Sequence, residues 1–387
     1  MRFSTKTVHG HDYYDERFGV FIPPIYMTTI FEQPDRATGE TRITDRGTEL
    51  KYSREENPTV RAFEKLMAKL EEAEDALAFS SGMASISCLY IGILEADSKI
   101  IIPMEAYGTS IQLLLHLGKF GVKTVKVWPS TESVVEAVDK STRLILVETL
   151  SNPTLKVLDI REIAKVAEEC GSILVVDNTF ATPVIYNPLI DGAKIVVHST
   201  TKYIGGHNDV LGGIIASSKE TILELWDWRR KLGSIMTPMQ AYLNLRGVKT
   251  LEVRFEKQSK TALEIAEFLL EHPAVEEVLY PGLTCSPYHE VASKIFKKNL
   301  YGSVIAFKVR GGRSRVIRVL RNIRLIKASP SLGGTESLLA YPVISAAKTI
   351  PEEDRLKLGI TDNLLRFSLG LEKPEDLKED LDQALGG

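Results

Sequence analysis

The chain has 387 residues and a net charge of −3, with 44% hydrophobic and 26% charged residues. This composition is typical of a water-soluble globular protein of two or three domains, and the charge argues against nucleic acid or an anionic membrane as a partner. The three cysteines are too scattered for a zinc or redox motif, and no apolar run approaches the roughly 18 residues of a membrane span. We therefore expect a cytoplasmic protein without a signal peptide.

Residues 1–57 predict an irregular N-terminal arm. They are rich in turn formers and aromatic residues, as in FIPPIY and KYSREENPT, and they show little hydrophobic periodicity. A helix should begin at Asn57-Pro58, because Pro favours the first helical turn and apolar residues follow at helical spacing. The arm is therefore predicted to end where this helix begins.

Residues 58–245 predict a large domain of the α/β class with a mainly parallel sheet. Short apolar segments alternate with stretches that mostly have helical periodicity. The segments are ALAF, KIIIP, KTVKVW, RLILVET, SILVVDN, KIVVHS and VLGGIIAS. Strands that are apolar throughout and separated by helices indicate a sheet buried on both faces. Ligands of such sheets bind beyond the carboxyl ends of the strands.

Residues 246–387 predict a smaller C-terminal α+β domain. A helical break is expected between Gly233 and Pro238, and a long helix starting at Thr237 should bridge the two domains. Three segments then predict strands, namely SVIAFKVR, RLIKASPSL and LLRFSLGLE. Two others, RSRVIRVLRNI and PEDLKEDLDQAL, predict helices.

The segment HSTTKYIGGHNDVLGG suggests chemistry at Lys202, which follows Ser199 and Thr201 and precedes a glycine-rich run. A lysine that binds an aldehyde cofactor as a Schiff base needs a carboxylate near the cofactor's ring nitrogen and donors for its phosphate. Pyridoxal 5′-phosphate fits these demands. Asp177 ends an apolar strand and could pair with the ring nitrogen. Ser199, Thr201 and the helix start at Gly82-Met83 could bind the phosphate.

Each of these features also has a purely structural interpretation. A strand-terminal Asp is more often a turn or cap residue, and a Ser-Ser-Gly-Met sequence is also typical of a helix N-cap. His198 and His207 are interpreted as structural. The order of the features along the chain favours the cofactor interpretation: a glycine turn, an apolar strand ending in Asp, and a hydroxyl-rich strand end with Lys.

Segments along nearly the whole chain resemble the Cys/Met-metabolism family of pyridoxal-phosphate enzymes. They are YSREENPT, AFSSGMAS, EAYGTS, VETLSNPTLKVLDI, VVDNTFATP, HSTTKYIGGHNDVLGG, SLGGTESL and LLRFSLGLE. The resemblance implies the fold-type-I transferase fold, which is aspartate-aminotransferase-like. It also implies a homotetramer built from two catalytic dimers, with each active site shared between subunits.

The resemblance further implies roles at the cofactor ring. Lys202 would hold the cofactor and move protons, and Asp177 would pair with the ring nitrogen. Tyr107, in EAYGTS, would stack on the ring and act as a general acid/base. Asn152, in SNPT, would support the cofactor's phenolic oxygen or the substrate carboxylate.

At the phosphate, the resemblance implies contacts from Ser199, Thr201, Gly82 and Met83, and from Tyr52 and Arg54 of the neighbouring subunit's arm. Arg366 would bind the substrate α-carboxylate, for which a planar, permanently charged guanidinium is suited, and Ser331 would help to position it. Without the resemblance, the alternation of Arg366 with Leu365 and Phe367 predicts a solvent-facing strand residue, and Tyr-Ser-Arg predicts a loop.

Four positions depart from the family's usual pattern. Pro330 replaces a Glu that usually precedes Ser-Leu-Gly, and it removes a charge that could meet an amino group at the distal end of the substrate. Ala346-Ala347 replaces a Thr-His pair. Thr109 stands where methionine γ-lyases typically have a cysteine, which argues against a dedicated methionine γ-lyase.

The resemblance implies γ-replacement or γ-elimination on a homoserine-derived or thioether amino acid. We favour replacement of the activated γ-oxygen of a homoserine ester by cysteine, the reaction of cystathionine γ-synthases. Elimination from cystathionine, as in cystathionine γ-lyases, is the alternative, followed by the reactions of O-acetylhomoserine sulfhydrylase and methionine γ-lyase. Ser199-x-x-Lys202 also matches the S-x-x-K motif of serine acyl-enzyme hydrolases, but the accompanying motifs are incomplete and out of order.

Overall fold

The computed structural model describes residues 1–386, and its main feature is a seven-stranded sheet. Its strands are β1 Asp75–Phe79, β2 Lys99–Pro103, β3 Lys123–Val127, β4 Thr142–Glu148, β5 Ile173–Asp177, β6 Ile195–Ser199 and β7 Gly213–Ser217. The spatial order is β1-β7-β6-β5-β4-β2-β3, and only β7 runs antiparallel to its neighbours. The predicted mainly parallel sheet is therefore confirmed, and each strand lies within or next to its predicted segment.

Both faces of this sheet are buried, as its continuously apolar strands predict. In β4, Ile145 and Val147 join one apolar cluster, whereas Leu144 and Leu146 join another on the opposite face. These four side chains are at most 2% exposed. Because successive residues of a strand point to opposite faces, a strand between two helical layers must be apolar at every position.

Helices cover both faces and connect the strands of the chain. In the first part of the chain they are α1 Phe3–His9, α2 Pro58–Leu70, α3 Gly82–Ile93, α4 Gly108–Leu117, α5 Thr131–Ala137, α6 Ile160–Cys170, α7 Thr182–Ile185 and α8 Lys219–Leu232. Those that follow are α9 Pro238–Val248, α10 Leu251–Glu271, α11 His289–Ile295, α12 Gly312–Asn322, α13 Glu352–Lys357 and α14 Pro374–Gly386. Short 3₁₀ turns lie at Gly118–Phe120, Pro188–Asp191 and Pro342–Ile344.

A second sheet, of five strands, lies in the C-terminal part of the chain. Its strands are β8 Val275–Leu279, β9 Val304–Val309, β10 Lys327–Ala328, β11 Leu338–Ala340 and β12 Leu364–Ser368, in the order β10-β11-β12-β9-β8. All pairs except β10–β11 are antiparallel. The strand predictions for SVIAFKVR and LLRFSLGLE are confirmed, whereas RLIKASPSL supplies only the two residues of β10. The domain limits at residues 57/58 and 245/246 stay predictions.

The long helix predicted from Thr237 is two helices, so that prediction is wrong. Thr237 caps α9 through a capping box with Gln240, and α9 ends at Val248 before α10 begins at Leu251. The carbonyl of Gly247 accepts hydrogen bonds from Arg254 Nη2 (2.8 Å) and from the backbone N–H of Thr250 (3.2 Å). These donors replace the next helical hydrogen bond, which allows the chain to bend between α9 and α10.

The N-terminal arm is irregular over most of its length, but the helix α1 was not predicted. It packs against α2 and α10, where Lys6 forms an ion pair with Glu72 (2.5 Å). The predicted start of α2 is confirmed, because the Asn57 side chain accepts a hydrogen bond from Thr59 N–H (3.0 Å) and Pro58 occupies the first turn. Tertiary contacts rather than local periodicity therefore form α1.

The base of the arm is held to the large sheet by a buried guanidinium. Arg46, whose side chain is 3% exposed, forms ion pairs with Glu56 (3.0 Å), Glu64 (2.6 Å) and Asp75 (3.0 Å). Burial alone would raise the pKa of Glu64, but Arg46, Arg229 and Arg61 lower it to about 2. The arm is therefore anchored at Arg46.

Farther from this anchor, the arm carries exposed apolar side chains, those of Tyr14, Phe18, Phe21, Met27 and Ile30. Several large apolar side chains exposed along one segment are typical of a surface that another chain covers. Whether the arm reaches a partner subunit stays a prediction.

None of the helices within residues 1–386 is long and apolar enough to cross a membrane.

Candidate active site

A cavity of about 680 Å³ lies where the carboxyl ends of β4, β5 and β6 face loops of the second sheet. This is the position at which an open α/β sheet is expected to bind ligands. Ten of the predicted site residues line it: Gly82, Met83, Tyr107, Asn152, Asp177, Ser199, Thr201, Lys202, Ser331 and Arg366. Tyr52 and Arg54 do not.

Lys202 lies in the turn that follows β6, and its amine points into the cavity. Nζ donates a hydrogen bond to Ser331 Oγ (3.1 Å), and Lys202 forms no ion pair within residues 1–386. Burial, assisted by the positive charge of Arg366, lowers the pKa of the Lys202 amine below its ordinary value. A larger fraction of this amine is therefore unprotonated near neutral pH than for a surface lysine, as a nucleophile or a base requires.

Arg366 lies in the middle of β12, between β9 and β11, and is 2% exposed. Its Nη1 donates to Asn152 Oδ1 (2.8 Å), and its Nη2 donates to the carbonyl oxygens of Pro330 (2.5 Å) and Ser331 (3.0 Å). Nε is buried without a partner within the described chain. The interpretation from strand alternation alone, a solvent-facing Arg366, is wrong, because both faces of β12 are covered.

The charge on Arg366 is not neutralised by any carboxylate in the described part of the chain. Burial lowers its pKa to about 10, so the guanidinium remains charged at neutral pH. A buried cation without an anion is costly, unless a ligand supplies the anion. The site is therefore suited to a ligand carboxylate.

Asp177 ends β5 and is held by the turn after it. Its Oδ1 accepts a hydrogen bond from Thr179 N–H (3.0 Å). Burial raises the pKa of Asp177, while the bonds from Thr179 and the charge of His198 oppose this rise. His198 itself is fully buried and its Nε2 contacts Glu71 Oε1 (2.5 Å), which agrees with its predicted structural role.

The N-terminus of α3 closes another side of the cavity. The Ser81 side chain caps this helix by accepting from Ala84 N–H (3.1 Å), and the first N–H groups of a helix have no partner inside it. A Cβ on Gly82 would approach Ser199 Cβ to 2.9 Å, and one on Gly213 would approach the Ser81 carbonyl oxygen to 2.2 Å. Glycine at both positions lets the helix N-terminus and the strand ends form one polar surface, which suits a phosphate.

Thr201 is partly engaged at this surface, since its Oγ1 donates to the Gly212 carbonyl (3.3 Å) and accepts from Gly212 N–H (3.1 Å). The Ser199 N–H donates to Thr179 Oγ1 (2.9 Å). No protein partner of the Ser199 hydroxyl is found in residues 1–386, so this hydroxyl is the freer of the two for a ligand.

Tyr107 precedes α4, and its side chain is 49% exposed at the cavity. Its backbone N–H donates to Glu148 Oε1 (2.8 Å). The loop that carries Asn152 is held by Glu105, which accepts from Thr154 N–H (2.9 Å) and pairs with Lys156 Nζ (2.6 Å). Two buried carboxyl groups thus fix the loops of Tyr107 and Asn152.

Tyr52 and Arg54 lie on the exposed arm, outside their own chain's cavity. Tyr52 is 37% exposed, and the Arg54 guanidinium carbon lies 5.1 Å from the centre of the Tyr52 ring. The two side chains contact each other rather than the residues around Lys202. Their predicted part in a site therefore requires a second subunit.

The cavity fits pyridoxal phosphate on three grounds. It presents an amine of lowered pKa, a carboxyl group on a neighbouring strand end, and a helix N-terminus with a nearby hydroxyl. Its volume lies within the range usual for small-molecule sites, roughly 300–1,000 Å³. The buried guanidinium of Arg366 adds a position for a substrate carboxylate.

Three further residues line the cavity that were not predicted from the sequence, namely Glu148, Thr179 and Thr349. Glu148 ends β4, so the rule that ligands bind beyond strand ends could have found it. Thr179 follows Asp177 in the same turn. Thr349 comes from a loop of the second sheet, and no local signal places it there.

Fold and site together define a fold-type-I pyridoxal-phosphate enzyme. The chain belongs to the Cys/Met metabolism PLP-dependent enzyme family, which matches residues 4–386. It is 39% identical over 388 aligned positions to a cystathionine gamma-lyase of Bacillus subtilis, covering 100% of this chain and 99% of the relative. An L-methionine gamma-lyase of Fusobacterium nucleatum is 38% identical over 373 positions, covering 95% and 94%.

Among solved structures, cystathionine gamma synthase from Xanthomonas oryzae, in complex with aminoacrylate and cysteine, superposes with a TM-score of 0.94 at 34% identity. This match covers 100% of the present chain and 98% of the other. The predictions of family, fold and cofactor are confirmed: the protein is a pyridoxal-phosphate enzyme of cysteine and methionine metabolism. Both synthases and lyases occur among these relatives.

Proposed function

We propose that the protein catalyses γ-replacement, joining an O-activated homoserine to cysteine as a cystathionine γ-synthase does. The observation that carries a reaction on an α-amino acid is the presence, at one cavity, of the Lys202 amine with its lowered pKa and of the buried, charged guanidinium of Arg366. A carboxylate on Arg366 would bring the substrate's α-carbon towards the Lys202 amine. The bound cofactor supplies an electron sink for the electrons released at that carbon.

The chain's own residues would divide the work as follows. Arg366 would bind the α-carboxylate, with Asn152 and the Ser331 main chain fixing its orientation. Lys202 Nζ would take the proton from the substrate α-carbon, for which its lowered pKa suits it. Asp177 would hold a proton on the cofactor ring nitrogen. Tyr107 would cover the cofactor ring and serve as acid or base near the leaving group.

At the phosphate end, Gly82 and Met83 would donate backbone N–H groups, and Ser199 and Thr201 would contribute hydroxyls. The position of the Lys202 amine does not support the serine acyl-enzyme alternative. Lys202 Nζ donates its hydrogen bond to Ser331 rather than to Ser199. A serine hydrolase of the S-x-x-K type would need Ser199 beside its lysine.

The choice of γ-replacement rests on the uncharged part of the cavity lining. Pro330, Ile344, Ser345, Ala346 and Thr349 belong to it, and the charged side chains that line the cavity within residues 1–386 are those of Glu148, Asp177, Lys202 and Arg366. An acyl ester of homoserine lacks the second ammonium group that cystathionine carries. Because Pro330, Ile344 and Ala346 offer no carboxylate to that ammonium, cystathionine formed here would be held weakly and released rather than cleaved.

Cystathionine γ-lyase activity is the second candidate, favoured by the 39% identity to the lyase of Bacillus subtilis. The experiment is a comparison of kcat/KM for O-acetyl- or O-succinylhomoserine with cysteine, for cystathionine alone and for methionine. We expect the ester with cysteine to be used best and to yield cystathionine. Faster release of 2-oxobutanoate from cystathionine or methionine would contradict the synthase assignment while leaving the family unaffected.

The proposal includes a homotetramer of two catalytic dimers in the cytoplasm, with the arm crossing to the partner. The exposed apolar arm and the position of Tyr52 and Arg54 outside their own cavity support this assembly. Arg54 would then bind the cofactor phosphate of the other subunit.

The three thiols, Cys88, Cys170 and Cys285, are unpaired, which suits a reducing compartment.

Mixing subunits tests the shared site. Arg54→Ala should weaken cofactor binding by roughly one to two orders of magnitude, because a charge-assisted contact contributes about 1.5–3 kcal/mol. Arg54→Ala and Lys202→Ala should complement each other, since a mixed dimer holds one site with both defects and one with neither. After subunit exchange, random pairing should restore about a quarter of the wild-type sites. Each variant exchanged with itself is the control, and no recovery in the mixture would refute the crossing arm.

A further inference from the structure

Two carboxyl groups stand side by side beneath the cavity. Glu148, the last residue of β4, is directly in register with Asp177, the last residue of β5. Residues in register on neighbouring parallel strands point their side chains to the same face, here into the same cavity. Asp177 has a proposed role at the cofactor ring, whereas Glu148 has so far only its contact with the loop of Tyr107.

The contacts of Glu148 differ from those of an ionised carboxylate. Its Oε1 accepts a hydrogen bond from Tyr107 N–H (2.8 Å), whereas its Oε2 is buried without a partner in residues 1–386. Lys and Arg form no ion pair with it in that part of the chain. By contrast, the nearby Glu105 is paired with Lys156 (2.6 Å). An unpaired anion at such a position would be costly, so protonation is the cheaper state.

The charged groups near Glu148 also favour its protonated form. Burial raises the pKa of Glu148 well above its ordinary value, and the charges of Asp177 and Glu105 raise it further, against the opposing bond from Tyr107 N–H. Tyr90, from α3 on the other side, has its pKa raised by burial and then by Asp177 and Glu148, so its hydroxyl is neutral as well.

Of the two adjacent acids, Asp177 is the one to ionise. It accepts a hydrogen bond from Thr179 N–H, and His198 also favours its anion. Glu148 receives only the single bond from Tyr107 and has no cation beside it. When two neighbouring acids share one negative charge, that charge resides on the better-solvated group.

We propose that Glu148 is a positioning residue that works as a neutral carboxylic acid. Its carbonyl oxygen fixes the main chain of Tyr107, and its proton leaves the single negative charge of the pair on Asp177. A single negative charge is enough to pair with the protonated nitrogen of the cofactor ring. The inference rests on the proposed roles of Tyr107 and Asp177 at the cofactor.

The proposal is tested by comparing Glu148→Gln with Glu148→Ala in the holoenzyme. Glutamine keeps the carbonyl acceptor and a donor and is uncharged, so it should mimic the protonated acid and rescue function relative to alanine. Alanine leaves Tyr107 N–H without its partner. It should therefore weaken cofactor binding and lower kcat/KM by roughly tenfold, the effect of one lost hydrogen bond.

Two readouts separate this role from a merely structural one. The first readout is an infrared difference spectrum at neutral pH, in which the spectrum of Glu148→Gln is subtracted from that of the wild type. It should contain the carbonyl stretch of a protonated carboxylic acid. The acid limb of the pH profile of kcat/KM should stay in place in Glu148→Gln, because no charge is removed. Were Glu148 an anion, losing its charge beside Asp177 would move that limb by about one unit.

Glu105→Gln is the matched control, because Glu105 is a carboxylate in a buried ion pair. We expect Glu105→Gln to lower the melting temperature. That result would show that replacing a buried glutamate by glutamine is not harmless at every position. The proposal is overturned if Glu148→Gln is as impaired as Glu148→Ala, if its pH profile moves, or if Glu148→Ala behaves as wild type. A wild-type protein that binds no pyridoxal phosphate would instead defeat the proposed function itself.

Discussion

Lys202→Ala should lose its covalently bound cofactor and reduce kcat by at least about 10³-fold, since the same amine is proposed to hold the cofactor and to move the substrate proton. The surroundings of the Lys202 amine support this expectation. The amine is buried at the cavity, its pKa is lowered by burial and by Arg366, and its only hydrogen-bond partner in residues 1–386 is Ser331. Activity with the proposed substrates and the visible absorbance of the purified protein are the measurements.

Lys348→Ala is the control for this prediction, because Lys348 is an exposed lysine next to Thr349 in the loop that closes the cavity. It should retain colour and activity. A Lys202→Ala enzyme that keeps both the visible band and substantial turnover would show that another group holds the cofactor.

Arg366→Ala should raise KM for the amino-acid substrate and lower kcat/KM. Removing one member of a buried charge pair costs about 2–5 kcal/mol, which corresponds to roughly 30- to 5,000-fold. Arg366→Lys should recover only part of this loss, since an ammonium keeps the charge but not the planar pair of donors. Loss of Arg366 also removes a positive charge near Lys202, so the pKa of the Lys202 amine should rise and the optimum of activity should move to higher pH.

A substrate analogue provides the specific control for Arg366. The carboxamide of the amino acid lacks the negative charge, so it should be a poor substrate of the wild type and should lose little more in Arg366→Ala. Equal losses for the acid and the amide would mean that Arg366 acts through the structure rather than through the carboxylate. Equal cofactor content of wild type and variant, measured by absorbance, must accompany the comparison.

The sequence predicts well what local pattern encodes. The seven strands of the large sheet follow from continuous apolar segments, because burial on both faces leaves no polar position within them. Asn57-Pro58 carries its own capping signal and begins α2. The helix α1 depends on contacts with α2 and α10, and the bend between α9 and α10 is held by side-chain hydrogen bonds from Arg254 to Gly247 and Tyr203, so periodicity could not reveal either.

The candidate site shows the same division between local and long-range information. Asp177, Ser199 and Lys202 lie at the ends of strands that pattern alone predicts, so their meeting at one edge of the sheet is foreseeable. Arg366 comes from the second sheet, far along the chain, and only the family resemblance indicated its role. Glu148 lay within a quoted motif, but its significance depends on the register with Asp177, which the structure supplies.

The most direct test of the central claim is to locate the cofactor chemically. The purified protein is reduced with borohydride, digested, and its peptides are mapped by mass. We expect a yellow protein that loses its visible band on reduction and carries the mass of pyridoxal phosphate on the peptide containing Lys202, with Lys348 and Lys156 unmodified. A colourless protein, or a cofactor attached to any other lysine, would contradict it.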